Sequence, residues 1–305
     1  ASGYVAFACD LPSLCNKSTP SDGPWKKRPY GVETEMDVKD GAEQCALFDA
    51  EITALEAFHL LSAQEKTDTR NMGITGWSWG GYSTTLLCGI LGDRVKASYS
   101  IFGCGFYELG SKWKSYLLNE MTGTERNIWI NAFDAGKRAN NIKSVHFIEA
   151  ALKDRYFWPP AVQATLKAIQ EEHKNLAFGP NLDHKQINEE MQKLFFDYHL
   201  KGGGVPFPKI EIQTVCEKSG STVIAFQVIL PPGIHAATTE IYYTVSDCDW
   251  PDREWVKVDA KAEKGSTDVY IASIPAQSDG KKVNWYAHIT DSRCISASSY
   301  IYGSI

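Results

Sequence analysis

The stretch Gly76-Trp77-Ser78-Trp79-Gly80-Gly81 places a serine between small residues where an apolar strand runs into a helix. Residues 72–75 before it predict a short buried strand, and residues 81–91 after it carry aliphatic side chains at helical spacing. A serine hydroxyl attacks a carbonyl only when a sharp turn lifts it clear of the backbone, beside a general base. The pattern therefore predicts that Ser78 is a nucleophile.

Gly76 and Gly80 flank this serine. We expect both to be glycine because a Cβ atom at either position would collide where strand and helix fold back on each other. The competing interpretation is a glycine-rich strand-to-helix turn with an incidental serine.

A nucleophile on such a turn needs an acid and a histidine later in the chain, each at the carboxyl end of a strand. Residues 145–152 are strand-like and lead to Asp154, and residues 176–178 form a short predicted strand that leads to His184. We expect Asp154 to accept the Nδ1–H of His184. His184 would then take the proton of Ser78.

Rival residues exist for both roles. Asp134, in an irregular segment before the penultimate strand, is the second choice for the acid, whereas Asp183 is too close to His184 in sequence to orient its ring. None of the other histidines follows a strand at the right place; they are His59, His146, His173, His199, His235 and His288.

The chain resembles the α/β-hydrolase superfamily, and within it the acetylxylan-esterase-like and prolyl-oligopeptidase-like branch. The resemblance spans roughly residues 3–202 and is carried by four segments, residues 73–82, 93–106, 154–160 and 181–184. It implies a doubly wound, mostly parallel sheet with Ser78 as nucleophile, Asp154 as acid and His184 as base. It also implies that the backbone N–H of Trp79 is one oxyanion donor.

A domain boundary follows the last predicted helix, residues 186–200. Residues 202–208 contain three consecutive glycines and then prolines, which stop a helix and link units. We predict a catalytic domain over residues 1–202 and an immunoglobulin-like β-sandwich over residues 203–305. Its seven predicted strands are residues 210–215, 222–230, 239–245, 254–258, 269–274, 283–289 and 296–302.

An insertion of the catalytic domain, about residues 103–145, is rich in aromatic side chains. We predict a cap, helical around residues 111–120 and 124–133, above the carboxyl edge of the sheet where ligands bind in open α/β folds. Trp113 and Trp158 are candidates for a wall of the substrate pocket. Packing of the cap onto the sheet is an equally good interpretation of both.

Composition excludes several classes of function. The 305 residues carry a formal net charge of −6 and no block of lysine or arginine, which argues against a nucleic-acid partner. No apolar run is long enough to span a membrane. Without a C-x-x-C pair or histidines at ligand spacing, we expect no metal, and we expect no cofactor.

Eight cysteines are many for a cytosolic enzyme of this size. We expect a disulfide between Cys9 and Cys15 and at least one more that ties the sandwich, with Cys248 and Cys294 the preferred pair. Asn16-Lys17-Ser18 is an acceptor sequon for N-glycosylation. These features favour a secreted or lumenal glycoprotein.

The resemblance and the predicted triad together point to hydrolysis of an ester, with a carbohydrate O-acyl ester as the expected substrate. A serine peptidase of the prolyl-oligopeptidase type is the alternative enzyme, although the β-propeller usual there is not in this chain. A catalytically silent secreted binding or signalling protein on the same fold is a third possibility.

Residues 3–10 read as an apolar strand, and Cys45, Phe48, Ile52 and Leu55 read as the apolar stripe of a helix that follows. In the strand order implied by the resemblance this strand is the fourth of the sheet, so three strands and one oxyanion donor would lie elsewhere. We therefore expect an N-terminal segment of roughly a hundred residues, or a companion chain, to complete the sheet.

Overall fold

A parallel sheet organises the first part of the computed structural model, which describes residues 3–11, 37–277 and 282–303. Its four strands follow one another in the order of the sequence. They are β1 (Gly73–Trp77), β2 (Ala97–Ile101), β3 (Val145–Ala151) and β4 (Lys174–Gly179). Strands β2 and β3 are almost wholly buried, as expected of parallel strands covered on both faces.

The helices of this part of the chain are α1 (Ala46–Ser62), α2 (Trp79–Leu91), α3 (Gly123–Phe133), α4 (Pro159–Ala168) and α5 (Glu189–Lys201). Their ends follow local sequence signals. Thr122 and Glu125 form a capping box at the start of α3, and α4 begins with a proline pair. Gly202 ends α5 in the left-handed conformation, with a φ of 68°.

Two antiparallel sheets follow α5, with strand orders β5-β6-β10-β9 and β12-β11-β7-β8. The strands are β5 (Lys209–Lys218), β6 (Ser221–Ile229), β7 (Ala236–Val245), β8 (Val256–Asp259), β9 (Lys261–Ala262), β10 (Val269–Ile274), β11 (Val283–Asp291) and β12 (Ser296–Ser298). Inward-facing side chains of both sheets form one apolar core. The predicted fold class, a parallel α/β sheet followed by a β-sandwich, is confirmed.

The sandwich packs directly onto the parallel sheet. Trp255, Tyr286 and Ile301 belong to the same buried core as the side chains of β3 and β4. The backbone N–H of Phe178 on β4 donates to Ser298 Oγ on β12, at 2.9 Å. One outer edge of the parallel sheet is therefore covered.

The N-terminal segment differs from the prediction. Residues 4–11 form no strand, and Val5 and Phe7 are each 49% exposed. On α1, Phe48 and Ile52 are exposed while Leu47 and Ala50 are buried, so the predicted apolar stripe is only partly the buried face. The buried face of α1 is instead formed by Ala46, Leu47, Ala50, Glu51 and Phe58, and the helix packs against α2.

The predicted disulfide between Cys248 and Cys294 is wrong, because both are free thiols. Strands β7 and β11 pair antiparallel, with Val245 opposite Val283 at one end and Ala236 opposite Asp291 at the other. Cys248 follows the first end and Cys294 the second, so about 30 Å of strand separates them. Cys9 is likewise free and exposed. Its expected partner Cys15 and the Asn16 sequon lie outside the described residues.

Candidate active site

Ser78 lies on a strained turn between β1 and α2. Its φ of 58° and ψ of −115° are rare for a residue with a side chain. A Cβ atom on Gly76 would come within 2.3 Å of the carbonyl carbon of Gly80, so this position must be glycine. Gly80 itself has open space around it, contrary to prediction. The crowded second position is Gly81, where a Cβ atom would lie 2.3 Å from the Ile101 carbonyl oxygen.

Trp79 is the first residue of α2, so its backbone N–H is one of the donors that a helix leaves unpaired at its start. These donors lie at the positive end of the helix dipole. An oxyanion formed on a carbonyl attacked by Ser78 would develop beside them. This is the place predicted for the Trp79 oxyanion donor.

Asp154 follows β3 and is 1% exposed. Its Oδ1 accepts the backbone N–H groups of Tyr156 and Phe157, at 2.6 and 3.3 Å. These two bonds fix the carboxylate and leave Oδ2 free to face the loop after β4. There Oδ2 lies 2.8 Å from His184 Nδ1, the contact predicted from the sequence.

Aromatic rings enclose His184. The ring centroids of Trp77 and Phe102 are each 4.6 Å from that of His184, and the ring of Tyr156 is 5.3 Å away. Phe102 follows β2 with a φ of 73°, which turns its ring toward the histidine. The imidazole is therefore held by packing as well as by the contact of its Nδ1 with Asp154.

The structure brings His184 against Trp77, the residue before Ser78, but forms no hydrogen bond between Ser78 Oγ and any described residue. In unliganded hydrolases this bond is often long and tightens only when substrate binds. A cleft of about 730 Å³ opens beside the pair, and its walls include Trp77, His184, Lys185 and Gln192.

The rival acid has a different task. Asp134 is 2% exposed and accepts the backbone N–H groups of Phe106, Tyr107 and Gly136. Burial raises the pKa of its carboxyl group. It fixes the turn after α3 and makes no contact with His184.

The two candidate pocket tryptophans pack the cap. Trp113 is 5% exposed and lies 5.2 Å from the rings of both Trp79 and Tyr107. Trp158 precedes α4 and donates its indole N–H to the carbonyl oxygen of Arg155 at 3.0 Å. Their part in substrate binding stays a prediction.

Sequence reasoning missed Glu149 on β3. This fully buried carboxylate accepts a hydrogen bond from the Tyr99 hydroxyl, at 2.7 Å. It also accepts one from the backbone N–H of Ile187, three residues after His184. Burial raises its pKa. An acidic residue inside an otherwise apolar strand was the available signal.

The structure places Ser78 on the turn after β1, Asp154 after β3 and His184 after β4. This is the order in which the resemblance to α/β-hydrolases places nucleophile, acid and base along the chain. Among the described residues, no cluster of histidine, cysteine and acidic side chains could hold a metal ion, and no helix is long and apolar enough to cross a membrane.

Several solved structures are similar to part of this chain. Acetyl xylan esterase 1 from Thermoanaerobacterium sp. JW/SL YS485 is 17% identical over 52% of this chain and 55% of its own, with a TM-score of 0.46. An acetyl xylan esterase from Paenibacillus sp. R4 is 16% identical over the same shares, also at 0.46. The acylaminoacyl peptidase of Pyrococcus horikoshii is 18% identical over 54% of this chain and 31% of its own, at 0.41.

The chain thus spans about half the length of the two esterase structures. No family model matches the sequence, and no curated protein matches it.

Proposed function

We propose that this chain is a serine hydrolase that cleaves an ester through a covalent acyl-Ser78 intermediate. The observation that carries the proposal is the 2.8 Å contact between His184 Nδ1 and the buried carboxylate of Asp154, beside the strained turn of Ser78. A histidine oriented by an acid and set next to a lifted serine is the arrangement that makes a hydroxyl nucleophilic.

In the first half-reaction His184 Nε2 takes the hydroxyl proton while Ser78 Oγ bonds to the ester carbonyl carbon. The Trp79 N–H stabilises the resulting oxyanion. As the tetrahedral intermediate collapses, the carbon–oxygen bond to the alcohol breaks and His184 returns the proton to that oxygen. Water then attacks the acyl-serine by the same route and releases the acid.

The proposed substrate is a carbohydrate O-acyl ester. His184 must protonate the leaving alcohol, so that alcohol lies on the histidine side of Ser78. His184 is itself one of the residues that line the cleft. Lys185 and Gln192 line this cleft together with Trp77, which is 52% exposed. Polar side chains beside an exposed indole suit a hydroxyl-rich ring.

The test compares two substrates in one assay. We expect acetate release from acetylated xylo-oligosaccharides and no cleavage of a proline-containing peptide anilide, with Ser78→Ala inactive on both. Cleavage of the peptide alone would make the chain a peptidase. Absence of turnover and of phosphonate labelling would make it a catalytically silent protein.

We also propose that a strand from a companion chain, or from a segment outside these residues, pairs with β1. Ser78 N–H donates to Ile101 O across the ladder, so alternation points the N–H groups of Thr75 and Trp77 away from β2. Among the described residues no strand lies on that side. Hydrogen exchange at these two amides should be slower in natively produced protein than in the isolated 305-residue chain. Equal exchange rates in the two samples would contradict the proposal.

The support for a secreted or lumenal location is the Asn16 sequon, since Cys9, Cys248 and Cys294 are free thiols. We propose this location, with a glycan on Asn16. Peptide mapping of natively produced protein before and after glycosidase treatment tests it, and an unmodified Asn16 peptide would contradict it.

A further inference from the structure

The segment that carries His184, residues 181–188, connects β4 to α5 and is bonded to the β-sandwich at both ends. At its start, the side chain of Asn181 pairs with the backbone of Trp255, in the loop before β8. At its end, the side chain of Asn188 donates to the carbonyl oxygen of Cys294 at 3.1 Å. The catalytic domain supplies the histidine, and the sandwich holds the loop on which it lies.

The contact at Asn181 is a double hydrogen bond. Asn181 Nδ2 donates to the Trp255 carbonyl oxygen at 2.8 Å, and the Trp255 N–H donates to Asn181 Oδ1 at 2.9 Å. Two parallel bonds fix orientation as well as distance. Asn181 has a φ of 54°, a left-handed conformation that asparagine tolerates better than most residues.

The contact at Asn188 joins the loop to a helix start. Asn188 is the N-cap of α5, where its Oδ1 accepts the Glu190 N–H at 2.9 Å. Its Nδ2 is the group that reaches Cys294. One side chain thus ties the sandwich to the helix that begins directly after the histidine loop.

The anchors on the sandwich side are themselves fixed. Trp255 is 3% exposed and packs at 5.2 Å from the ring of Tyr286. The turn bearing Cys294 is closed by the buried carboxylate of Asp291, which accepts the N–H groups of Arg293 and Ile295. The Arg293 guanidinium also donates to the backbone carbonyl of Val205 in the interdomain linker at 3.0 Å.

From these contacts we propose that the β-sandwich is a positioning element of the active site, with Asn181 as the main positioning residue for His184. The inference rests on the proposed function, because it assigns the sandwich a role in the same reaction. Catalysis needs the imidazole within a fraction of an ångström of its working place. Asp154 fixes the ring, and the sandwich fixes the backbone that carries the ring.

The test compares Asn181→Gly with Gln163→Ala. Glycine keeps the left-handed backbone and removes both bonds to Trp255. Gln163, on α4, accepts the N–H of Ile301 and so makes an interdomain bond remote from the histidine loop. We expect fluorophosphonate labelling of Ser78 to slow about 10- to 100-fold in Asn181→Gly, as for a small displacement of a catalytic group. Gln163→Ala should label at the wild-type rate.

A second readout does not depend on activity. The low-field proton signal of the Nδ1–H shared by His184 and Asp154 should shift or broaden in Asn181→Gly and stay in place in Gln163→Ala. An unchanged signal together with wild-type labelling in Asn181→Gly would overturn the positioning role. Wild-type protein that does not label at all would defeat the proposed hydrolase instead, while the proton signal would still test the position of His184.

Discussion

The two outer edges of the parallel sheet differ in what lies beside them. At the β4 edge, Phe178 is fully buried and its N–H is bonded to Ser298 of the sandwich. At the β1 edge, Trp77 is 52% exposed, and no strand lies outside β1 among the described residues. The nucleophile therefore follows the open edge and the base follows the closed one.

This difference shows that the two halves of the candidate site are fixed by different means. Ser78 is placed by its own turn, since Gly76 and Gly81 allow a close approach that no side chain would permit. His184 is placed from outside its loop, by Asp154, by neighbouring rings and by the sandwich. Changes to the closed edge should therefore act on the base.

The largest expected effect comes from removing one triad residue on either edge. Ser78→Ala and His184→Ala should each lower ester turnover more than about 10³-fold, which is roughly 4 kcal/mol of barrier. The double variant should lose little more, because the two groups act as a unit. Steady-state kinetics on folded protein checks this. A single variant that keeps most of its activity would contradict the assignment of that residue to the triad.

The next effect concerns the packing that closes the β4 edge. Trp255→Ala removes a buried ring from the core shared by sandwich and sheet and should lower the free energy of unfolding by about 3–5 kcal/mol. Urea denaturation followed by tryptophan fluorescence measures it. A loss below about 1 kcal/mol would mean that the sandwich does not stabilise this edge.

Acid should weaken the same edge. His288 on β11 is buried, and burial lowers its pKa to about 4, whereas the unfolded chain takes up this proton near pH 6.5. The part of the unfolding free energy that depends on neutral His288 is thus fully present above pH 6.5. It is lost as the pH falls toward 4, by roughly 3 kcal/mol. His288→Gln should flatten this fall in unfolding experiments between pH 7 and 4. An identical slope in both proteins would contradict the assignment.

An effect of similar size comes from the contact of α1 with α2, the helix that begins at the nucleophile turn, where Glu51 of α1 accepts a hydrogen bond from Ser83 of α2. Burial raises the Glu51 pKa to about 7, and its Oε2 has no hydrogen-bond partner. The folded state gains from the protonated form below about pH 4.5 and loses this advantage as the pH rises through 7. Glu51→Gln should therefore raise the unfolding free energy at pH 8 by roughly 3 kcal/mol and change it little at pH 4. A destabilised variant at pH 8 would refute this.

The parts predicted from the sequence are those that local patterns encode. The turn at Ser78, the strands leading to Asp154 and His184 and the strands of the sandwich depend on spacing and turn residues a few positions apart. Glu149 and Asn181 were missed because their partners, Tyr99 and Trp255, are distant in sequence and meet them only in the folded chain.

The cysteine prediction failed for a related reason. The even number of cysteines suggested a bond within the sandwich, with Cys248 and Cys294 as the preferred pair, but the pairing of β7 with β11 sets the two at opposite ends of a sheet. The residues 3–10 also show the limit of a local pattern. They have the composition of a strand, yet no described strand lies beside them to complete a ladder.

The central claim is that Ser78 is the activated nucleophile of this site. The most direct measurement is mass spectrometry of the peptide containing Ser78 after treatment of the folded chain with a fluorophosphonate. The account predicts the phosphonate adduct on Ser78 in the wild type and its loss in Ser78→Ala, with strongly slowed labelling in His184→Ala. An unmodified Ser78 peptide, or an adduct on another serine that persists in Ser78→Ala, would contradict it.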